Sequence, residues 1–318
     1  MESELSPALE LTPPDISAWR EGSGGLDYVH SFDSGVPGPT VVVSALVHGN
    51  EVCGALALDR LLSDGLRPAV GRLSLVFVNV GAFERFSPAA PLANRFLDED
   101  FNRLWHGGIL DGPRGSRELD RARALRPLFD EADFLLDIHS MSTTTEPLMM
   151  AGPTDKGLAL AKRIGRPTTI VRDEGHAAGP RLRDYGDFID PASQRNALLI
   201  ECGHHFAADS AEVALDVTLR FLAAVGSVTA ATAEAYGPVT GGEPQRTIEV
   251  TERVTAKSDS FRFVRPFRGM DVVPVAGTLI ATDGARRIVT PYDNCIMIMP
   301  VGQALAGETA ARLGRVCD

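Results

Sequence analysis

Short apolar runs alternate with apolar residues at helical spacing through the first two thirds of the chain. The runs predict strands at residues 28–32, 40–47, 73–80, 134–139, 148–150, 168–171 and 197–201. The helical spacing predicts helices at residues 52–62, 116–129, 157–164 and 209–225, the last opened by a capping box of Asp209 and Glu212. Because buried strands alternate with helices, we predict an α/β fold with a mixed, largely parallel sheet covered by helices on both faces.

The pattern changes after the last of these helices. Residues 226–246 are rich in Gly, Ala and Thr and have little periodicity, which is typical of a linker. Beyond them, short β-type segments recur at residues 247–254, 261–264, 271–275, 278–281, 287–290 and 295–299, separated by turns. We therefore predict two domains, residues 1–236 and a small C-terminal β domain of residues 237–318, built as a sandwich or a barrel.

Composition narrows the classes of function. The 318-residue chain has 44% hydrophobic residues and a formal net charge of −11. This charge argues against a nucleic-acid partner or an anionic membrane surface, although a local cationic pocket remains possible. No apolar run reaches the roughly 18 residues of a membrane span, and the first ten residues do not resemble a signal peptide. The four cysteines form no C-x-x-C pair, so we expect reduced thiols in a cytoplasmic protein.

Four predicted strands end in polar residues, His48, Asn79, His139 and Glu201. Ligands of open α/β sheets bind outside the carboxyl ends of the strands. His48 stands where a strand ends, and Glu51 follows where a helix begins, so both side chains can turn towards one metal ion. His139 is a candidate third ligand. The alternative is that these histidines are ordinary strand-end residues that bond to the backbone.

Two further acidic residues accompany this set. Asp137 shares a strand face with His139 and could fix the orientation of its imidazole. Glu201 closes an apolar run, where a carboxylate is costly unless it is paired or used, and near a metal-bound water it could act as a general base. A structural salt bridge is the alternative for Glu201. Strand alternation turns Cys202 away from the side that Glu201 faces, so we interpret Cys202 as a packing residue.

Residues 81–115 form a long segment of low periodicity that is rich in Arg, Asn and Asp. A loop of that length inside a compact domain is usually functional or disordered. Arg95, Asn102 and Arg103 offer planar donors for a carboxylate or a polarised carbonyl. Since Asp98, Glu99 and Asp100 interleave with them, the alternative is an exposed loop of ion pairs.

Taken in order, four motifs resemble the succinylglutamate desuccinylase/aspartoacylase family of the zinc carboxypeptidase superfamily: His48-Gly49-Asn50-Glu51, Asp98-Glu99-Asp100-Phe101-Asn102-Arg103, Asp137-Ile138-His139 and Glu201-Cys202-Gly203. The resemblance covers residues 40 to about 225, and the β-rich C-terminal region agrees with the layout of the family. It implies that one Zn²⁺ per chain is bound by His48, Glu51 and His139, with one position left for water.

The resemblance also implies roles for the remaining residues. Arg95 would polarise the scissile carbonyl and stabilise the oxyanion, while Asn102 and Arg103 would bind a substrate carboxylate. Asp100 would orient a liganding histidine. Glu201 would be the general base for the metal-bound water that attacks the carbonyl, and then the acid for the leaving amine.

The chain also departs from the family pattern. Aspartoacylases carry a further arginine shortly before the catalytic Glu, whereas here Arg195 stands six residues before Glu201, and Arg181 and Arg183 lie further back. The spacing therefore leaves two questions open: whether the substrate is a monocarboxylate or a dicarboxylate, and which arginine completes the pocket. We expect four other histidines, His106, His176, His204 and His205, to be exposed loop residues, and the alternative for His204 and His205 is that they line the pocket. Tyr185 is expected in a segment over the site.

The leading hypothesis is a zinc-dependent amidohydrolase that removes the acyl group from an N-acyl amino acid or a related small carboxylate. An acidic chain with an added β domain is also compatible with a homo-oligomer. A zinc exopeptidase of the carboxypeptidase type would use the same chemistry in a longer cleft. A binding homologue that has lost catalysis would need the carboxylate-binding residues but not Glu201, so the presence of both argues against it.

Overall fold

The computed structural model describes residues 9–175, 178–237 and 244–317. The strands within them are β1 (Val29–Asp33), β2 (Thr40–Ala45), β3 (Arg72–Phe77), β4 (Phe134–Met141), β5 (Leu148–Met150), β6 (Thr169–Arg172), β7 (Asn196–His204), β8 (Arg246–Thr255), β9 (Phe261–Phe263), β10 (Val272–Val273), β11 (Leu279–Asp283), β12 (Arg286–Val289), β13 (Cys295–Ile298) and β14 (Thr309–Val316). The α-helices are α1 (Val52–Ser63), α2 (Val80–Phe83), α3 (Gly107–Leu110), α4 (Arg117–Glu131), α5 (Asp155–Ile164), α6 (Asp209–Ala224) and α7 (Ala230–Glu234).

The central sheet is mixed, with the order β1-β3-β2-β4-β7-β5-β6-β8-β14-β13-β10. Strands β3, β2, β4 and β7 are mutually parallel, as are β5, β6 and β8, whereas β1 and β5 pair antiparallel with β3 and β7. The parallel block brings the carboxyl ends of β2, β4 and β7 to one edge of the sheet. The prediction of a mixed, largely parallel sheet is confirmed for the strands up to β8.

Helices cover both faces of this sheet, as predicted. One buried cluster joins α1, α5 and α6 to the sheet through residues such as Leu58, Leu160 and Phe221. A second cluster on the other face joins α4 to the loop before it through Phe129 and Trp105. Because helices cover both faces, nearly every residue of β2, β4 and β7 is buried.

The C-terminal strands extend the same sheet. Strand β8 pairs parallel with β6 and antiparallel with β14, and the order continues through β13 to β10. A separate antiparallel sheet of β9, β11 and β12 shares one hydrophobic cluster with these strands. The boundary at residue 237 stays a prediction, because the sheet is continuous across it and residues 238–243 lie outside the described residues.

Several local predictions were wrong. The helix N-cap is Ala208 rather than Asp209, so no side chain caps α6, and Asp209 and Glu212 both lie in its first turn, where carboxylates favour the helix dipole. The predicted linker contains α7, and the segment of residues 81–115 contains α2 and α3. Strand β14 was not predicted at all, and it pairs with both β8 and β13.

The cysteines behave as the sequence predicts. All four are free, and Cys202 is fully buried in the hydrophobic cluster beneath α1 and α6. Within the described residues, no helix has both the length and the apolar character needed to cross a membrane.

Candidate metal and substrate site

The site is organised around the corner between β2 and α1. Strand β2 ends at Ala45, Leu46 turns with a positive φ of 59°, and Glu51 occupies the N-cap position of α1. Gly49 is required there, because a Cβ atom would lie 2.5 Å from the backbone of Ala82 and Phe83. The N–H group of Gly49 donates to the carbonyl of Arg95 at 3.0 Å, which ties the corner to the long loop. The local sequence therefore presents His48 and Glu51 at the edge of the sheet.

His48, Glu51 and His139 form a buried cluster whose candidate ligand atoms all lie within 4.8 Å of one another. Nδ1 of His48 lies 2.7 Å from one carboxylate oxygen of Glu51, and Nδ1 of His139 lies 2.8 Å from the other. The opposite ring nitrogens contact two further carboxylates, with Nε2 of His48 3.0 Å from Asp100 and Nε2 of His139 2.8 Å from Asp137. Carboxylates in this position fix the tautomer of a liganding imidazole.

The buried carboxylates of this cluster stabilise a positive charge at its centre. Burial alone would lower the pKa of His139, but the carboxylates of Asp137 and Glu51 outweigh it and raise the pKa well above its usual value. Burial alone would raise the pKa of Glu51, but the two imidazoles hold it well below its usual range. Without a metal, the carboxylates of the cluster therefore favour a protonated imidazole. A divalent cation bound to the Nδ1 and carboxylate atoms would supply the same positive charge, and this donor set suits such a cation.

Glu201 lies beside the cluster on β7, next to His139 in the register of β4 and β7. Its carboxyl group is buried, and its Oε2 atom has no hydrogen-bond partner among the described residues. Burial and the charge of Glu51 raise the pKa of Glu201 to about 8, against the opposing effects of His139, Arg95 and Arg181. Among the described residues Glu201 has no salt bridge, which argues against the structural alternative considered from the sequence.

The long loop brings three of the predicted polar side chains to the same pocket. Arg95, whose side chain is 37% exposed, has Nη2 2.9 Å from Nε2 of His48 and Nη1 3.5 Å from Glu51. Nη2 of Arg103 lies 3.7 Å from Asp100, which also accepts the backbone N–H of Asn102 at 2.8 Å. The amide of Asn102 is buried, with Nδ2 3.4 Å from His139 and Oδ1 accepting the N–H group of Leu182 at 2.7 Å.

A buried glutamate that the sequence analysis did not single out holds this loop in place. Glu118 of α4 accepts the N–H groups of Leu97 at 2.6 Å and Asp98 at 3.0 Å, and the amide of Asn79 at 3.1 Å. Asn79, the fourth predicted strand-end residue, therefore anchors Glu118 and does not line the pocket. The three acidic residues of the loop have different partners. Asp98 pairs with Arg117 and Glu99 with Arg114, whereas Asp100 contacts His48 in the site.

The pocket is a cavity of about 600 Å³ above the metal cluster. Its far wall comes from the C-terminal strands and the loop between β13 and β14, with Met299, Gln303 and Arg312 among the lining residues. Arg181 reaches the same pocket from the loop after β6. Arg312 was not identified from the sequence because β14 was not predicted. Arg181 was noted only by its position before Glu201, and no motif marks it as a residue of the pocket.

The expectation for Tyr185 was wrong, and Arg195, which stands six residues before Glu201 in the sequence, also lies away from the pocket. Arg195 lies just before β7, at the opposite end of the strand from Glu201, where it donates to the carbonyls of Phe129 and Ala132. Tyr185 does not cover the site. Its ring packs against Trp105, and its hydroxyl group donates to Asp130 at 2.7 Å.

The histidines after Glu201 are not exposed. Strand β7 runs on to His204, which is buried, and His205 is buried in the pocket wall with Nδ1 2.7 Å from the hydroxyl group of Ser140. Strand alternation did not reveal this position, because the pairing of β7 with β4 shifts between His139 and Met141 and β7 ends at His204. His106 is exposed as predicted, and His176 lies outside the described residues.

The burial of His205 is expected to lower the stability of the fold at acidic pH. Burial lowers its pKa to about 3, whereas an unfolded histidine titrates near 6.5. Below pH 6.5 the unfolded chain takes up a proton that the folded chain excludes, so stability falls as the pH falls. Between pH 7.5 and pH 5.5 the free energy of unfolding of His205→Gln, measured by urea unfolding, should fall by about 1 to 1.5 kcal/mol less than that of the wild type. His106→Gln, at an exposed site, should follow the wild type; an unchanged pH dependence in His205→Gln would contradict the assignment.

Comparison with known proteins agrees with this architecture. The model of the "Succinylglutamate desuccinylase/Aspartoacylase catalytic domain" matches residues 37–225. The succinylglutamate desuccinylase of Burkholderia mallei is 26% identical over 93% of this chain and 85% of its own length. That of Burkholderia orbicola is 36% identical over 33% of this chain, and that match spans only 29% of the relative's length. The structure of the Vibrio cholerae succinylglutamate desuccinylase covers 91% of this chain and 86% of its own, with 18% identity and a TM-score of 0.68.

The fold and the site define an α/β protein whose candidate His–Glu–His metal cluster and pocket lie at the carboxyl ends of parallel strands. The family model covers more than half of the chain. The protein belongs to the succinylglutamate desuccinylase/aspartoacylase family, a family of deacylases that act on N-acyl amino acids.

Proposed function

We propose that this protein is a zinc-dependent hydrolase that cleaves the amide bond of an N-acyl amino acid or a related small carboxylate. The observation that carries the proposal is the buried carboxyl group of Glu201, unpartnered at Oε2, beside the His48–Glu51–His139 cluster in one pocket. A base without a structural partner, next to a donor set suited to zinc, has the arrangement that hydrolysis of an amide requires.

His48, Glu51 and His139 would hold the zinc ion through two Nδ1 atoms and a carboxylate oxygen. Zinc bound there would act as a Lewis acid and lower the pKa of water towards about 7. Asp100 and Asp137 would accept the Nε2 protons of the two imidazoles and so keep Nδ1 free for the metal. Asp137 is itself fixed by the hydroxyl group of Ser44, which donates at 2.6 Å.

Glu201 would accept a proton from the attacking water and pass it to the leaving amine. A carboxyl group whose pKa is raised to about 8 without a metal, and lowered when a cation binds nearby, can both accept and release a proton near neutral pH. Its burial shields this carboxyl group from bulk water, while its position in the pocket wall leaves it accessible to a water molecule inside the pocket.

The arginines of the long loop would bind and activate the substrate. Arg95, the most exposed of the site's cations and adjacent to the cluster, would donate to the amide carbonyl and to the oxyanion that develops from it. Arg103 and Asn102 would bind a substrate carboxylate. Asp100 holds Arg103 and the backbone of Asn102, which positions both groups relative to the metal.

The C-terminal wall favours a small substrate over a peptide. The residues after β13 and the start of β14 close one side of the cavity, whose volume of about 600 Å³ suits a small molecule. An exopeptidase needs an open groove for the rest of its substrate. The geometry therefore supports a deacylase rather than the carboxypeptidase alternative.

The test is a panel of N-acetyl and N-succinyl amino acids beside short peptides, each assayed with zinc-loaded protein and after chelation. We expect hydrolysis of at least one N-acyl amino acid, loss of that activity with the chelator, its recovery on adding zinc, and little cleavage of peptides. Cleavage of peptides alone would replace this proposal with the exopeptidase. An inactive protein that still binds zinc would point to a binding homologue.

A further inference from the structure

We propose that His205 determines the specificity of the pocket for the acyl group: its free ring nitrogen, Nε2, binds a hydroxyl group on the acyl chain, so that the preferred substrate is an amino acid with a short hydroxylated N-acyl group. This inference rests on the proposed function, because it assigns a substrate class to the same pocket. Among the described residues, His205 is the only histidine of the pocket wall that lies outside the metal cluster.

The imidazole of His205 is held at one nitrogen and free at the other. Nδ1 lies 2.7 Å from the hydroxyl group of Ser140, and the backbone N–H group of His205 donates to the carbonyl of Met141 at 2.9 Å. Nε2 has no hydrogen-bond partner among the described residues, although the side chain is buried and lines the pocket. A polar atom in such a place is costly to leave unpaired. His205 is thus oriented with an unused hydrogen-bonding atom in the pocket wall.

The protonation state of His205 suits binding rather than proton transfer. Burial lowers its pKa to about 3, so the ring is neutral at physiological pH and is a poor base for activating the hydroxyl group of Ser140. In a neutral imidazole one nitrogen donates a hydrogen bond and the other accepts one. A hydroxyl group can both donate and accept, so it pairs with Nε2 in either tautomer.

His205 and the proposed carboxylate-binding residues lie on opposite sides of the metal cluster. Asn102 and Arg103 adjoin Phe101 and Leu104, which belong to the hydrophobic cluster on the α4 face of the sheet. His205 leads into α6, which covers the other face. The metal cluster lies at the sheet edge that separates these faces. A substrate whose carboxylate binds Asn102 and Arg103, with its scissile carbonyl at the cluster, therefore extends its acyl group towards His205.

The wall next to His205 is polar and uncharged. The backbone pairing with Met141 places His205 beside the end of β4, and the residues there that line the pocket are Ser140, Met141, Ser142 and Thr143. None of these residues carries a charge. A carboxylate at the end of the acyl chain would find no cation among them, and an unpaired charge is costly to bury. A hydroxyl group needs no cation, so this wall favours a neutral polar acyl group.

The test uses pairs of ligands in which a hydroxyl group replaces a methyl group: N-glycolyl with N-propionyl, and N-lactoyl with N-isobutyryl. Each pair is made on the amino acid whose N-acetyl derivative binds most tightly to zinc-loaded Glu201→Gln. Calorimetry in this background measures binding without turnover, and hydrolysis is measured in the wild type. We expect the hydroxyl member of at least one pair to bind about tenfold more tightly, because the methyl member leaves Nε2 unpaired. The N-malonyl derivative should bind less tightly than that hydroxyl member.

Two substitutions, each made in the Glu201→Gln background, separate the two ring nitrogens. The amide of asparagine reaches about the position of Nδ1 of histidine, and the amide of glutamine reaches about that of Nε2. His205→Asn should therefore lose the preference for the hydroxyl group, whereas His205→Gln should keep part of it. His204→Asn is the matched control and should keep the full preference, because His204 is buried beside His205 without lining the pocket.

The inference is overturned if the members of both pairs bind equally, if the N-malonyl derivative binds most tightly, or if the preference survives in His205→Asn. If His205→Asn does not fold, Ser140→Ala takes its place: it releases the ring and should reduce the preference, and an unchanged preference would contradict the inference. Preferential binding of the hydroxyl member without hydrolysis by the wild type would contradict the proposed function and leave the role of His205 standing. Hydrolysis without the preference would do the reverse.

Discussion

Replacing Glu201 with glutamine is expected to lower kcat by about 100- to 10,000-fold, the range typical of losing a positioned general base. The reason is specific to this carboxyl group: it is buried, its Oε2 is unpartnered, and its pKa is raised to about 8. A carboxamide of the same size cannot accept a proton from water. Since Glu201 is not one of the three clustered ligands, KM and zinc content should change little.

The measurement is steady-state kinetics on whichever N-acyl amino acid the panel identifies, together with zinc analysis of the purified variant. Glu212→Gln, at an exposed position of α6, is the control for a change of charge and should behave as the wild type does. Retention of more than a tenth of wild-type kcat in Glu201→Gln would rule out Glu201 as the base. Loss of zinc along with activity would place Glu201 among the ligands instead.

The second large effect is expected from the metal cluster. His139→Ala should abolish stoichiometric zinc binding and activity together, because it leaves two of the three clustered ligands. Asp137→Asn should keep the ligands but weaken zinc affinity by about 10- to 100-fold, since an amide orients the imidazole less well than a carboxylate does. Asp137 contacts Nε2 of His139 at 2.8 Å and is fully buried. The two variants therefore separate ligation from orientation.

Zinc affinity is measured by competition with a chromogenic chelator, which does not depend on turnover. His106→Ala, an exposed histidine, is the control and should bind zinc normally. If His139→Ala bound zinc as tightly as the wild type, the cluster would not be the metal site. Equal affinities of Asp137→Asn and the wild type would assign Asp137 a purely structural role through its contact with Ser44.

Sequence reasoning located the parts of the site that depend on local order. His48 and Glu51 are separated by one tight corner, and His139 and Glu201 lie beside each other on paired parallel strands. The position of each of these residues at a strand end or a helix start is visible in the sequence, whereas the pairing of β4 with β7 is seen only in the structure. Strand alternation explains why Cys202 is buried in the core, but it does not reach His205, because β7 ends at His204 after a shift in its pairing with β4.

The sequence identified the motifs of the long loop, but it did not identify the residue that holds the loop in place. The sequence suggested that Arg95, Asn102 and Arg103 act together. The loop takes its shape from Glu118 of α4, which accepts four donors, three of them backbone N–H groups of the loop. A buried acid in an amphipathic helix carries no sequence signal of its own. Arg195 was considered because it is close to Glu201 in sequence, yet it lies at the other end of the same strand, where sequence proximity gives no spatial proximity.

The sequence by itself determined the fold class, the family and the candidate cluster of His48, Glu51 and His139, because each depends on short-range spacing within strands and their ends. Only the tertiary structure decided the far wall of the pocket. Arg181 and Arg312 come from a loop and from the last strand, and they meet at Asp173 because β14 joins the sheet through β8 and β6. Pairing between strands so distant in the chain is set by packing of the whole sheet, and no local pattern encodes it.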